Sequence, residues 1–593
     1  MPPFLSLVLL LGLASGSALA SQAEEEAEKA APQPNFIVIL VDDLDETQDS
    51  SGELAMPATK RLLRDRGVTF TNHFVTTPIC CPSRVNLLRG QLSHNTNFTD
   101  VLGPHGGYAK FRALGLDREW LPTWLQRAGY NTLYTGKFLV DYTIRNYDPA
   151  PSGWSAFDAL VHPFTFEYYS PAFSLNGGTP RMYPGMYYST DVVGAKALAM
   201  LRSAATDPAG RPFYLQVAPP APHHSMHYDF NSSGAFLARH WYPPIPAARH
   251  WEELSGAALP RPPSFNDPWV AGKPSWLRSL APLTSANETF LEEIYRLRLR
   301  CMRAVDELVE GIVREVESLG LSRRTYVLFT SDNGYHEGVH RMGSGKTTPY
   351  EEDIRVPLIM AGPGLIPGSR VADTTAHIDI APTVLALAGL PLPPDLDGTP
   401  LPLAAASDGT TLPPSYTYGS PDHGPLRNQL VTEFWGVWLE ESIHSHPNYP
   451  NNTWKAVRVL RSDREEAYKY VLHCSGEFEL YDLVRDPYER INLLAPLSRA
   501  RVRSRLDALL AVLAVCRGSA CSRPFQVLHP DGSVSDLWAA MDEQYDDLYD
   551  AILPFSFGHC LPYQDLDNER STFRGAVVPD CRVRGAGGGA GGG

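Results

Sequence analysis

After its first residues the 593-residue chain has no run of roughly 18 uninterrupted apolar residues, which excludes a membrane-crossing helix from the body of the protein. It also lacks net positive charge. A formal net charge of -15 argues against a non-specific nucleic-acid binder, so any site for an anion must be built locally within an acidic surface. No histidine or cysteine stands at zinc-ligand spacing beside the carboxylates Asp42 and Asp43, and no segment repeats. Charged residues reach only 20% against 43% hydrophobic, a composition that leaves little room for extensive disorder. A chain this long exceeds what one hydrophobic core organises, so a large domain with at least one smaller unit is expected.

The opening residues, MPPFLSLVLLLGLASGSALA, join an apolar run from Phe4 to Leu13 to small residues ending Ala18-Leu19-Ala20. That pattern predicts a signal peptide over 1–20, although no Lys or Arg precedes the apolar run, followed by an acidic leader over 21–34. Export agrees with four Asn-x-Ser/Thr sequons, at Asn97, Asn231, Asn287 and Asn451. We therefore expect a soluble, secreted glycoprotein of the periplasmic space or cell wall, with no integral membrane segment and no nucleic-acid partner. Eight cysteines suit an oxidising compartment. Spacing suggests the pairs Cys516–Cys521 and Cys560–Cys581, and leaves Cys301 and Cys474 open.

Asn35-Phe-Ile-Val-Ile-Leu-Val41 reads as a fully buried parallel strand, apolar without alternation and too short for a helix; it ends in Asp42-Asp43. Thr325 to Thr330 has the same character and ends in Ser331-Asp332-Asn333-Gly334. Between such strands lie helical patterns, as over Leu297 to Leu319, so the fold class is α/β. Ligands of open α/β sheets gather beyond the carboxyl ends of the strands, where Asp42, Asp43, Asp332 and Asn333 fall. Each group read alone is equally a helix cap or a turn. A Pro-, Gly- and Ser-rich stretch from Leu392 to Ser415 looks like a linker. It divides a catalytic domain (35–410) from a smaller C-terminal α+β domain (411–510), a cysteine-containing extension (511–584) and a flexible Gly/Ala tail (585–593).

Three carboxylates and an amide oxygen suit a hard cation, calcium in preference to magnesium because calcium tolerates irregular coordination from separate loops. The nearby cations Arg84, Lys137 and Lys346 make this a mixed site suited to an anionic substrate. Gly343-Ser-Gly-Lys-Thr347 invites a phosphate-loop reading, but His340 stands where that pattern needs glycine. Read singly, Lys346 and His223 are solvated surface residues, and Arg84 and Lys137 ordinary ion-pair partners.

Thr77-Pro-Ile-Cys-Cys-Pro-Ser-Arg84 contains two adjacent thiols, and Cys80-Cys81-Pro82-Ser83-Arg84 resembles the Cys-x-Pro-Ser-Arg signature of the type I sulfatases. Gly129 to Lys137 resembles that family's second signature. Further likeness lies at Asn35 to Asp43, Ala221-Pro-His223, Ser331 to Gly334, Tyr350 to Pro357 and Leu480 to Leu483 with Asp486-Pro487. Phe74 to Arg84, Ser93 to Lys110, Gly136 to Tyr142 and Leu561 to Asp565 are most similar to the secreted arylsulfatases of green algae, with N-acetylglucosamine-6-sulfatases more distant.

The resemblance implies an alkaline-phosphatase-like sheet, large and mixed or parallel, sandwiched by helices. It implies that formylglycine-generating machinery converts Cys80 to 3-oxoalanine (formylglycine) during export. One hydroxyl of the hydrated aldehyde would attack the sulfur of a sulfate ester, and the other would then expel sulfate, an exit that a serine lacks. Calcium would be held by Asp42, Asp43, Asp332 and Asn333 and would touch the modified Cys80. Arg84 would stabilise the hydrate, Lys137 and Lys346 would bind sulfate oxygens, and His223 or Lys346 would protonate the leaving oxygen. Cys81 remains a small buried thiol. Leu139 stands where many family members have a histidine, with His224, His227 and His336 as possible substitutes. A secreted arylsulfatase that scavenges sulfate is the expected function. A polysaccharide or glucosamine-6-sulfate-type sulfatase, a phosphoesterase of the same superfamily, and a catalytically silent protein that binds sulfated glycans are the alternatives.

Overall fold

The computed structural model describes residues 33–231, 236–404, 412, 416, 427–437, 439–441, 451–461, 465–494 and 500–578. The expected signal peptide, nearly all of the leader, the boundary near 410 and the Gly/Ala tail lie outside the described residues. A 10-stranded sheet forms the frame. Its centre is parallel: β1 (Asn35–Val41) lies between β4 (Thr325–Ser331) and β3 (Phe213–Ala218), and β2 (Asn131–Gly136) follows β3. Antiparallel strands extend the sheet on both sides, so it is mixed.

The unbroken apolar run of β1 is explained by cover on both faces. Phe36, Val38 and Leu40 pack into a core shared with helix α1 (Cys80–Arg89). Ile37, Ile39 and Val41 pack on the other side against the long helix α2 (Ser285–Ser318). This α2 covers the predicted helical stretch up to Ser318, with Leu319 as its C-cap, and begins at Ser285, where Thr284 and Asn287 close a capping box.

A separate four-stranded antiparallel sheet, Gln429–Phe434, Trp454–Leu460, Ala467–His473 and Phe478–Asp482, shares a core with the helix Ala500–Leu513. That core includes Phe74, Val75 and Ile79, so the small sheet abuts the residue preceding Cys80. Cys516–Cys521 forms as expected. Cys560 is bonded to Cys474 with a Cα separation of 4.9 Å, which overturns the Cys560–Cys581 pairing; Cys581 is outside the described residues. Sequence proximity misled there, because the β-turn that carries Cys474 is brought to Cys560 by tertiary packing. Cys301 is a free, buried thiol on α2. Asn97, Asn231 and Asn451 are exposed, whereas Asn287 is half-buried in the α2 capping box.

Candidate active site

Four adjacent strands point their carboxyl ends at one place. Asp42 and Asp43 follow β1, Asp332 follows β4, Lys137 follows β2 and His223 lies just beyond β3. Backbone bonds tie the ends together: Asp42 N–H donates to Ala221 O (3.2 Å) and Asp332 N–H to Val41 O (3.1 Å). Gly136 makes the turn into Lys137 possible. Its φ of 112° favours glycine, and a Cβ there would lie 2.0 Å from Ala218 O. Asp43 is itself left-handed, at φ 63°. Its carbonyl is clamped by Arg298 of α2, whose Nη2 donates to it at 2.6 Å.

Cys80 is the first residue of α1, its side chain at the end of the helix where backbone N–H groups are unpaired. Its Sγ lies 3.6 Å from both Asp42 Oδ1 and Lys346 Nζ. Burial pushes this thiol well above its ordinary range despite Lys137 and Lys346, so as a plain cysteine it is a poor nucleophile. One helical turn on, Arg84 donates Nε to Asp332 Oδ2 (2.8 Å) and Nη1 to Lys137 O (2.8 Å). Its Nη2 is buried without a hydrogen-bond partner, 3.9 Å from Asp42 Oδ1. Ser83 is held by His377 Nδ1 at 3.0 Å. Cys81 points away, accepting from Val140 N–H (3.1 Å) within the aromatic core, and burial pushes it up to about 12.

Three buried acids, Asp42, Asp43 and Asp332, face three buried cations. Lys137 Nζ donates to Asp42, and Lys346 Nζ donates to both oxygens of Asp43 (2.6 and 2.7 Å). Burial, with the charges of Asp332 and Asp43, pushes Asp42 up to about 8 even beside Lys137. Against the same burial, Lys346 holds Asp43 below the carboxylate range, and Arg84 holds Asp332 low. The oxygens of Asp42, Asp43 and Asn333 suit a hard divalent cation. One atom each of Asp42, Asp43, Cys80 and His223 lies within 4.8 Å of the others, a cluster that does not include Asp332, and Asn333 Oδ1 is buried with no hydrogen-bond partner.

Burial pulls His223 down to about 3, leaving a neutral imidazole. Its Nδ1 donates to His224 O (2.7 Å), so Nε2 carries no proton and faces Asp43 Oδ2 at 3.6 Å. Phe166 stacks on the ring (centroids 4.2 Å apart), Trp241 lies parallel at 6.3 Å, and Lys137 Nζ sits 4.7 Å over Phe166. All nine residues expected at the site therefore converge.

Of the histidines named as substitutes at Leu139, His224 is buried beside His223. It contacts Tyr335 Oη (3.1 Å), whereas His336 is bonded to Asp353 and His227 is exposed on a hairpin. Glu441, Tyr335 and Arg298 were missed. Tyr335 adjoins the Asp332-Asn333 motif and was within reach, but Glu441 and Arg298 lie in segments without a motif.

The family model described as Sulfatase matches residues 34–390, which contain every one of these converging residues. The chain belongs to the sulfatase family. This sulfatase is 48% identical to the "Arylsulfatase" of Volvox carteri over 93% of its own length and 85% of the relative's. It is 28% identical to the human "N-acetylglucosamine-6-sulfatase", covering 83% and 86% of the two chains. A solved structure bound to D-glucosamine-2-N,6-O-disulfate shares its fold, with a TM-score of 0.61 at 22% identity over 81% of this sulfatase and 97% of that chain. The sulfatase is a sulfuric ester hydrolase with an alkaline-phosphatase-like fold, and among its described residues no helix is long and apolar enough to cross a membrane.

Proposed function

We propose that this sulfatase is an exported, calcium-dependent arylsulfatase in which Cys80 is converted to formylglycine and which scavenges sulfate from extracellular esters. The observation that carries the reading is the seat of Cys80: a buried position at the start of α1, within 3.6 Å of Lys346, beside three acids and an unpartnered Arg84 nitrogen. The similarity to a Volvox arylsulfatase over nearly the whole chain supports the aryl-sulfate assignment.

Formylglycine hydrate at residue 80 supplies a hydroxyl nucleophile and a second hydroxyl through which sulfate is released. Asp42, Asp43, Asp332 and Asn333 would hold calcium, which would supply Lewis-acid polarisation of a sulfate oxygen. The remaining work falls to side chains. Lys137 and Lys346 present ammonium groups to the sulfate oxygens, and the free Nη2 of Arg84 orients residue 80. Lys346, held protonated by Asp43, donates the proton to the leaving oxygen, while His223, with Nε2 unprotonated, is the base for the second hydroxyl at residue 80. The balance is ester plus water giving alcohol or phenol, sulfate and a proton.

The 28% identity to a glucosamine-6-sulfatase supports a second reading, a polysaccharide sulfatase. Protein from a formylglycine-competent host, loaded with calcium, is expected to hydrolyse an aryl sulfate, to lose activity to a chelator and to regain it with calcium. Absence of sulfate release from any ester by aldehyde-bearing, calcium-loaded protein contradicts the proposal. A strong preference in kcat/KM for one sulfated sugar linkage replaces the scavenger reading with the second.

A further inference from the structure

A fourth acid borders the site without belonging to any motif. The short strand Leu439–Glu440 pairs with Ser344–Lys346, setting Lys346 opposite Leu439, and Glu441 N–H donates to Ser344 O (2.8 Å). The backbone thus fixes Glu441 beside Lys346, and its Oε1 lies 3.6 Å from Lys346 Nζ. Oε2 accepts from Tyr335 Oη (3.0 Å) and lies 3.8 Å from His224 Nδ1. Burial pulls His224 down to about 3, so that imidazole adds no charge. Arg298 lies 4.2 Å over the ring of Tyr335 and donates to Asp43 O. Lys346 touches Glu441 directly and is shared with Asp43.

A carboxylate at the edge of an anion pocket weakens the pull on every anion, and the penalty grows with the anion's charge. A sulfate monoester carries a single negative charge. A phosphate monoester near neutral pH carries almost two, and the product sulfate is also a dianion. We propose that Glu441 is a specificity-determining residue, a charge filter that favours sulfate-ester monoanions over phosphate-ester dianions and speeds the departure of sulfate. The inference rests on the reading of Lys346 as a sulfate-binding group. One charge about 6 Å away at an effective dielectric constant of about 20 changes affinity roughly tenfold to a hundredfold per unit of ligand charge.

The test uses formylglycine-bearing, calcium-loaded enzyme with Glu441→Gln, Glu441→Met and Glu441→Asp. For each, kcat/KM is measured on p-nitrophenyl sulfate and on p-nitrophenyl phosphate, and the binding of inorganic sulfate is measured by calorimetry. Both neutral variants are expected to lower the sulfate-to-phosphate ratio by about tenfold or more and to bind inorganic sulfate more tightly, while Glu441→Asp keeps the wild-type ratio. Equal changes on both esters in the neutral variants, with sulfate binding unchanged, overturn the filter and reduce Glu441 to a support for Lys346. Should the wild type cleave no sulfate ester, the proposed function fails, and the sulfate titration still decides for or against Glu441.

Discussion

Replacing Lys469 with methionine removes a buried ammonium that holds the loop following Lys346. Lys469 is fully buried in the strand Ala467–His473, and its Nζ donates to Pro349 O (2.9 Å) while pairing with Glu351 (2.9 Å) and Glu489 (2.8 Å). Other bonds from the small sheet secure the same loop. Trp454 Nε1 and Asn452 Nδ2 each donate to Thr347 O at 3.0 Å, and Tyr350 Oη donates to Glu479 at 2.9 Å. The C-terminal sheet therefore builds one wall of the site. Methionine keeps most of the stem's packing but leaves Glu489 without its closest cation and Glu351 with Arg458 at 3.2 Å. Breaking a buried pair in this way costs about 3–5 kcal/mol.

The sign of the pH dependence follows from Glu351, which burial would raise but which Arg458 and Lys469 hold down to about 2. A depressed carboxylate stabilises fully above its unfolded value of about 4.3, and the contribution is lost as pH falls toward 2. In the variant Glu351 loses part of what holds it down, so the deficit is fully present above about pH 4.3 and shrinks only as pH falls from there toward 2. Urea unfolding followed by tryptophan fluorescence measures it, with kcat/KM expected to fall as the Lys346 loop loosens. A variant within about 0.5 kcal/mol of wild type at pH 8 would contradict a stabilising pairing of Lys469 with Glu351 and Glu489.

Cys80→Ala and Cys80→Ser should fold and be exported yet release no sulfate in repeated turnover, whereas Cys81→Ala should keep the aldehyde and activity with a packing loss of about 1–3 kcal/mol; sulfate assays and melts of all three check this. Removing the Cys474–Cys560 bond, which closes a span of 86 residues, should lower stability by about 4.5 kcal/mol, read from denaturation of Cys560→Ala. Arg298→Lys should weaken calcium binding by about 10- to 100-fold, because the clamp on Asp43 O is lost; calorimetry on metal-free protein reads this, and unchanged affinity counts against the clamp.

The catalytic half of the fold was legible because its central strands are buried on both faces. That burial forces continuous apolar runs such as Phe36 to Val41 and Tyr326 to Phe329, and their polar successors mark the strand ends. Cys516–Cys521 was legible because the loop is short. Cys474–Cys560 was not, because those residues meet only after two distant segments pack. Glu441 escaped for a related reason. The strand before it is two residues long and exists only through pairing with Ser344–Lys346, so neither periodicity nor a local motif announces it. Arg298 looks in sequence like one more polar residue of a long helix; burial against Asp43 and Tyr335 gives it meaning. His223 rested on a short match at Ala221-Pro-His223, and only the structure reveals which ring nitrogen faces Asp43.

The proposed function requires an aldehyde rather than a thiol at residue 80. Peptide mass mapping of natively exported protein, with hydrazide labelling of the peptide that spans Cys80-Cys81-Pro82-Ser83-Arg84, tests it directly. A labelled peptide lacking the sulfur of residue 80 but retaining that of residue 81 is expected. A native, hydrolytically active protein with an intact thiol at residue 80 would contradict it.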